Sequence, residues 1–350
     1  MTHPDSARGG DEGATAETGD SRLEEFLGDP ETAALDLISA AARRTRALGI
    51  PHSVVYPTDI QQRRLVPLTG ITASLRVEDS LAGWAYRTES LRVTDSERGG
   101  MTAWLPLVDG AERLGVLAVH VPAPTPAVLR SARALATLIA MMITSSRAYE
   151  DSFVRRTRMQ RMRLPAETLR AFLPPRTIGT AHVVSTTVLE PAYEIGGDAF
   201  DHALTETTPH ATVLDAGSGL GSAAVDQLRS PAPLVIRDRQ LLGDAMLRQP
   251  DPPMGLPSLL AGRRQPVHEI APKPGDRVLM YTDGVTEARA ESGGQFGPEQ
   301  FVGYIIRATA TGEPASETLR RLIHSTLGSS PDRPRDDATI LMLEWSPPSR

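Results

Sequence analysis

Cysteine is absent from the 350 residues of this chain. That one gap removes a disulfide framework, a thiolate zinc site and a cysteine nucleophile, and it suits a reducing compartment. Lysine is almost absent too: Lys273 is the single lysine among 37 basic residues. Positive charge is not in excess, since the formal net charge is −6 and the pI about 5.8. The chain therefore has no electrostatic footprint for nucleic acid or an anionic membrane. No charged-then-apolar segment opens it, and the longest strongly apolar stretch, ALATLIAMMI (134–143), is too short to cross a bilayer. The sequence on its own points to a cytoplasmic protein.

What is present is 40% apolar residues, enough for sizeable cores, on a length that fits two or three domains. Residues 1–22 are mostly Gly, Ala, Thr, Ser, Asp and Glu and are expected to be a disordered tail. From 23 to 147 the pattern is that of an α+β domain. A helical period at 31–50 is followed by strand-like HSVVYP (52–57), RRLVPL (63–68), AWLPLV (103–108) and RLGVLAVHV (113–121). SLAGWAYRTES between them reads as a short helix, and LRSARALATLIAMMITSS closes the region with Leu135, Leu138, Ile139, Met142 and Ile143 on one face. The arginine-rich 148–172 reads as a solvated connecting helix, with Phe153, Met159 and Met162 set against a partner and Leu173-Pro174-Pro175 ending it. From 173 to 347 strands and turns alternate: 181–189, 210–216, 232–238, 276–284 and 338–345, with helices at 298–310 and 315–327.

Aspartates gather at the ends of these strands. They fall in EIGGDAFD (Asp198, Asp201), VLDAG (Asp215), MYTDGVTEA (Asp283) and RDDATILML (Asp336, Asp337). Taken singly, an Asp-Gly pair marks a turn. Taken together, carboxylates converging on one end of a sheet repel one another unless a hard cation neutralises them, and a set without thiolates or a histidine cluster favours Mg²⁺ or Mn²⁺ over zinc. Two such ions can hold a phosphate oxygen and activate water for in-line attack, with no protein nucleophile. The histidines His182, His202, His210, His268 and His324 lack ligand spacing, and Ser218 and Ser222 lie outside any G-x-S-x-G frame.

Two family resemblances follow. SLAGWAYRTES and PLVDGAERLGVLAV, in their order among the strands, resemble a GAF sensory domain, which implies a small ligand or a homodimer; no residue set marks a haem or metal there. YEIGGDAFD, PGDRVLMYTDGVTEAR and DDATILMLEW resemble the stage II sporulation E / sigma-B regulator type of serine/threonine phosphatase, the bacterial branch of the metal-dependent PP2C-like (PPM) family. That resemblance implies an α-β-β-α sandwich and two Mn²⁺ or Mg²⁺ ions. Asp215 would bridge both ions with the Ala216 carbonyl, Asp283 and Asp336 would complete the first site, and Asp198 would hold water at the metals. It also implies a phosphorylated anti-sigma-factor antagonist as substrate in a partner-switching pathway.

The sequence departs from that family after Asp215. The family writes D-x-M-G-H-G; this chain has Asp215-Ala216-Gly217-Ser218-Gly219-Leu220. GSAAVDQLRS then runs straight into PAPLVIRDR, so a block of helices and strands is missing after 225 and the sandwich is expected to be incomplete. Two other readings stay open. A shortened core would make a pseudophosphatase that only binds a partner. VLDAGSGLG followed by Asp238 also resembles the first motif of S-adenosylmethionine methyltransferases, which requires alternating parallel βαβ units.

Overall fold

A computed structural model describes residues 38, 45, 49–68, 72–96, 99–147, 152–194, 196–205, 208–215, 231–243, 271–287, 298–327 and 337–345. The expected tail (1–22), most of the first helix (31–50), Ala216 with the glycine-rich turn, His268 and Asp336 lie outside the described residues.

The N-terminal unit is an antiparallel sheet in the order β1-β6-β5-β4, from β1 (His52–Pro57), β4 (Arg92–Asp95), β5 (Met101–Asp109) and β6 (Glu112–Val121). Nine of the ten residues of β6 are buried because both faces are covered. One face packs on α2 (Pro126–Arg147) through Leu135, Ile139 and Ile143. The other packs on α1 (Leu81–Thr88) and on a ribbon of β2 (Arg64–Leu65) and β3 (Leu75–Arg76), around Tyr56, Val77, Tyr86 and Val116. Ser80 caps α1, its Oγ accepting from the Gly83 N–H at 2.9 Å. Within the full helix the apolar stretch gains flanks: α2 is the one helix among the described residues long and apolar enough to cross a membrane. Its Leu135–Ile143 face is nonetheless part of the domain core.

The connecting segment is not one helix. It is α3 (Ser152–Thr157) and α4 (Leu164–Phe172), with non-helical backbone between. Pro165 stands in the first turn of α4, where a missing N–H and the proline ring are tolerated; neither would be in the interior of a continuous helix. Nor do the three predicted contact residues face a second molecule together. Phe153 is fully buried in the N-terminal core, Met162 is buried in the C-terminal one, and Met159 is exposed.

The C-terminal unit centres on a six-stranded antiparallel sheet, order β12-β11-β13-β14-β8-β7. Its strands are β7 (Thr177–Gly179), β8 (Val183–Glu190), β11 (Leu234–Arg237), β12 (Gln240–Leu241), β13 (Arg277–Tyr281) and β14 (Ala338–Trp345). Period-two alternation splits β14 between two cores. Ile340 and Met342 meet α6 (Pro298–Ala310) and α7 (Ala315–Leu327), while Leu341 and Leu343 meet α4 and a hairpin of β9 (Asp198–Leu204) and β10 (Pro209–Asp215). The architecture is α+β with two domains. The second layer of the sandwich has only these two strands among the described residues, and Leu214 on β10 is left 41% exposed. The sheet is antiparallel throughout, which excludes the doubly wound methyltransferase reading. Asp238, the would-be ribose ligand, instead occupies the β11–β12 hairpin turn with Arg239; both have positive φ (50° and 62°), as a two-residue type I′ turn requires.

A buried ionic cluster joins the two units. Arg113 at the start of β6 donates to Glu317 on α7 at 3.0 Å, and Arg320 grips the same carboxylate at 2.7 and 2.8 Å. Arg320 also reaches Glu78 at 3.1 Å and the Gln62 carbonyl at 3.3 Å. Burial alone would lower the Arg320 guanidinium, but Glu317 and Glu78 hold it above its usual range. His324, desolvated and facing Arg320, is depressed to about 3 and stays neutral.

Candidate metal centre

The site forms where β13, β14 and the β9–β10 hairpin end together. Lys273-Pro274-Gly275-Asp276 makes the turn into β13, with the Asp276 N–H on the Lys273 carbonyl at 2.9 Å and Gly275 at φ 93°. Five strand residues later the chain reaches Thr282 and then Asp283, the first residue of α5 (Asp283–Glu287). Glycine follows for a steric reason: a Cβ on Gly284 would lie 2.0 Å from the Asp337 carbonyl oxygen. α5 can thus lie directly against the chain entering β14.

Asp198 and Asp215 are the terminal pair of the β9–β10 ladder. Asp198 is 2% exposed, and its Oδ2 accepts from Thr282 Oγ1 at 2.8 Å and Thr339 Oγ1 at 2.7 Å. Thr282 Oγ1 in turn accepts from the Thr339 N–H at 2.9 Å. This small network fastens the hairpin to the ends of β13 and β14. The Asp198 carboxyl is raised to about 7, by burial first, against the two threonine hydrogen bonds, and further by the charges of Asp215 and Asp337.

Asp337 has a different task. Its Oδ2 accepts the backbone N–H groups of Gly196 and Gly197 at 2.7 Å and of Asp198 at 3.2 Å. Three amides converging on one carboxylate oxygen fix the glycine loop that delivers Asp198. Sequence reasoning named Asp337 among the strand-end aspartates but gave the site role to Asp336, and it passed over Thr282 and Thr339. The signal for Asp337 was an acidic pair before one strand and a Gly-Gly pair before another, some 140 residues apart in the chain.

Of the five predicted positions, the structure brings Asp198, Asp215 and Asp283 to one end of the fold, while Ala216 and Asp336 fall outside the described residues. Among the described residues, no three carboxylate or histidine groups stand close enough to form a complete metal centre. The donor set that is described fits a hard divalent cation. It is all oxygen, and it includes a buried carboxyl, Asp198, raised by burial and then by the charges of neighbouring carboxylates. His202 has a structural setting, buried between Ser185 Oγ and the Pro175 carbonyl, each at 2.7 Å from a ring nitrogen.

Residues 219–346 match the family model described as Stage II sporulation protein E (SpoIIE), so the C-terminal part of the chain carries a SpoIIE-type domain. No curated protein matches the chain. Three solved structures are similar to its two parts. The GAF domain of a phosphoenolpyruvate-protein phosphotransferase from Coxiella burnetii is 16% identical, covering 38% of this chain and 94% of its own (TM-score 0.33). The GAF-B domain of DevS from Mycobacterium smegmatis is 21% identical, covering 32% and 93% (TM-score 0.27). The phosphatase domain of the cell fate determinant SpoIIE from Bacillus subtilis is 11% identical, covering 49% and 96% (TM-score 0.28).

Proposed function

We propose that the chain is a Mn²⁺- or Mg²⁺-dependent phosphoprotein phosphatase of PP2C type, governed by a GAF-like N-terminal domain. The observation that carries this is the junction of Asp198 with Thr282 and Thr339, which places Asp198, Asp215 and Asp283 at one end of the fold. Asp215, Asp283 and Asp336, with the Ala216 carbonyl, would hold two ions. When bound, these would neutralise the phosphate and activate water for its hydrolysis. Asp198, held by two hydroxyls, would hold water at the metals. Asp337 keeps the Gly196–Gly197 loop in place, and Gly284 gives Asp283 its close approach.

The substrate in this reading is a phosphoserine or phosphothreonine on an anti-sigma-factor antagonist, within a partner-switching pathway in the cytoplasm. The SpoIIE-type match supports it. The first test is p-nitrophenyl phosphate hydrolysis with added Mn²⁺ beside Asp215→Ala; turnover that requires both the metal and Asp215 is the expected result. One observation favours a second reading, a pseudophosphatase that binds its partner without turnover: the two-stranded second layer with its exposed Leu214. A cooperatively melting protein with no Mn²⁺-dependent turnover would select it.

A further inference from the structure

Between the two domains lies a cavity of about 1250 Å³, walled by β8, the β5–β6 turn, α2, α3, α4 and the 173–179 segment. Five arginines line it: Arg147, Arg158, Arg170, Arg176 and Arg320. Two of them have carboxylate partners: Arg158 pairs with Glu167 at 2.7 Å, and Arg320 with Glu317 at 2.7 Å and Glu78 at 3.1 Å. Among the described residues, Arg147, Arg170 and Arg176 form no ion pair within 4 Å. Arg147 stacks over Phe153 at 4.7 Å, Arg170 donates to the Ala192 carbonyl at 2.8 Å, and Arg176 to the Ile60 carbonyl at 2.8 Å.

The acidic groups on the wall are otherwise engaged. Glu112 accepts the Thr177 N–H at 2.8 Å, and Glu190 accepts from Gln61 at 3.1 Å and the Ala192 N–H at 2.8 Å. Asp109 is half-buried at the end of β5. Burial raises the Glu190 carboxyl, against its hydrogen bonds to Gln61 and Ala192 and the nearby charge of Arg170. Burial first lowers both Arg147 and Arg170 to about 10; repulsion from Arg176 adds to it, and the charges of Glu112 on Arg147 and Glu190 on Arg170 oppose it without cancelling it. The Nε atoms of Arg147 and Arg158 and the Oγ1 of Thr144 are buried without a hydrogen-bond partner. Buried guanidinium donors without a partner are costly unless an anion meets them. Ile60, Leu114, Val154, Met162 and Phe200 supply the apolar part of the wall.

The geometry points to this interdomain cavity as a binding site for a small organic polyanion, a multiply charged phosphate or carboxylate with an apolar body. Bound there, it would touch β5–β6 and α2 of one domain and β8 and α4 of the other, so its occupancy would report on how the domains are held together. The site is independent of the aspartate cluster and is tested without any activity measurement.

The experiment is calorimetric titration and thermal melting of the metal-free full chain with inorganic pyrophosphate, ADP and citrate at matched ionic strength. Binding is expected to raise the melting temperature and to be tighter for ADP than for pyrophosphate, since the apolar wall rewards an organic body. Citrate binding as well would widen the ligand class to carboxylates. Arg147→Gln and Arg170→Gln should each weaken binding by about tenfold or more, the size of one charge-assisted contact. Each should melt, without ligand, at or above the wild-type temperature, because an unmatched buried charge is gone. The exposed Arg156→Gln should bind as wild type. Failure of all three probes to bind a cooperatively melting wild type would overturn the proposal. So would unchanged binding in both cavity variants, or a lowered unliganded melting temperature in both, which would make the arginines packing elements of the interface.

Discussion

The two ends of β13 carry aspartates in opposite circumstances. At its start, Asp276 is 2% exposed and held by the Arg237 fork at 2.6 and 2.9 Å and by the Lys273 N–H at 2.7 Å. These contacts, Arg237 first, lower its carboxyl below the ordinary 3.8. At the other end Thr282 and Asp283 meet Asp198, equally buried, with hydroxyls for donors and carboxylates for neighbours, and Asp198 rises to about 7. The same side chain in the same degree of burial is a finished structural pair at one end and an unneutralised charge at the other. The Arg113–Glu317–Arg320 cluster belongs with the first kind, and the aspartate junction and arginine cavity with the second. The first kind of charge is closed by its partners within the fold; the second kind is what the proposed metal site and the proposed anion site rest on.

The sharpest way to break the comparison is at the unneutralised end. Asp283→Asn and Asp215→Ala should each reduce Mn²⁺-dependent p-nitrophenyl phosphate turnover by at least about a hundredfold, with little loss of melting temperature. A variant that loses stability in step with activity would place these residues with the structural pairs. Asp337→Ala should do the converse. It leaves three amides of the glycine loop without their acceptor, and should destabilise the domain by about 2 kcal/mol in denaturant melts while also disordering the delivery of Asp198.

Much of the scaffold was legible in the sequence. β1, β14, α6 and α7 coincide with the segments that period and turn residues predict. β9 was not: DAFDHAL opens and alternates with aspartate and histidine, and it is buried polar contacts of Asp198 and His202 that make it a strand. The site was half legible. Asp198, Asp215 and Asp283 announce themselves beside strand ends and glycines. The supporting Thr282 and Thr339 do not, and Asp337 shows only as the second of an acidic pair, since their roles exist only once β9, β13 and β14 are side by side. The arginines at 147, 158 and 170 read as a solvated face, because helical period carries no record of the second domain that closes over them. The break at Pro165 was visible as a residue, though the long helical pattern around it masked its effect.

Asp198→Asn sharpens the comparison more gently. Without metal, the amide keeps the size of the side chain and removes a buried charge that faces Asp215 and Asp337. The variant should melt at or above wild type at neutral pH, by up to about 1 kcal/mol, while losing the stabilisation that Mn²⁺ gives wild type. A clear drop in metal-free stability would mean that the two threonine hydrogen bonds, and not the charge, dominate there.

The smallest effect lies at the matched end and has a definite sign. Asp276 has a folded-state value below 3.8, so its ion pair contributes stability above the unfolded-state value, and that contribution is lost as pH falls through the folded one. Asp276→Asn should therefore melt below wild type at pH 7, with a gap that is constant down to roughly pH 5 and closes below about pH 4 as wild type protonates. Arg237 lies at the surface, where solvent screens the pair, so raising the salt concentration should narrow the same gap at pH 7. A gap that closes in acid but ignores salt would assign the loss to the Lys273 turn hydrogen bond, and Asp276 would then serve as a turn cap that happens to sit beside an arginine; a gap that ignores both would rule out any charge-dependent role for Asp276.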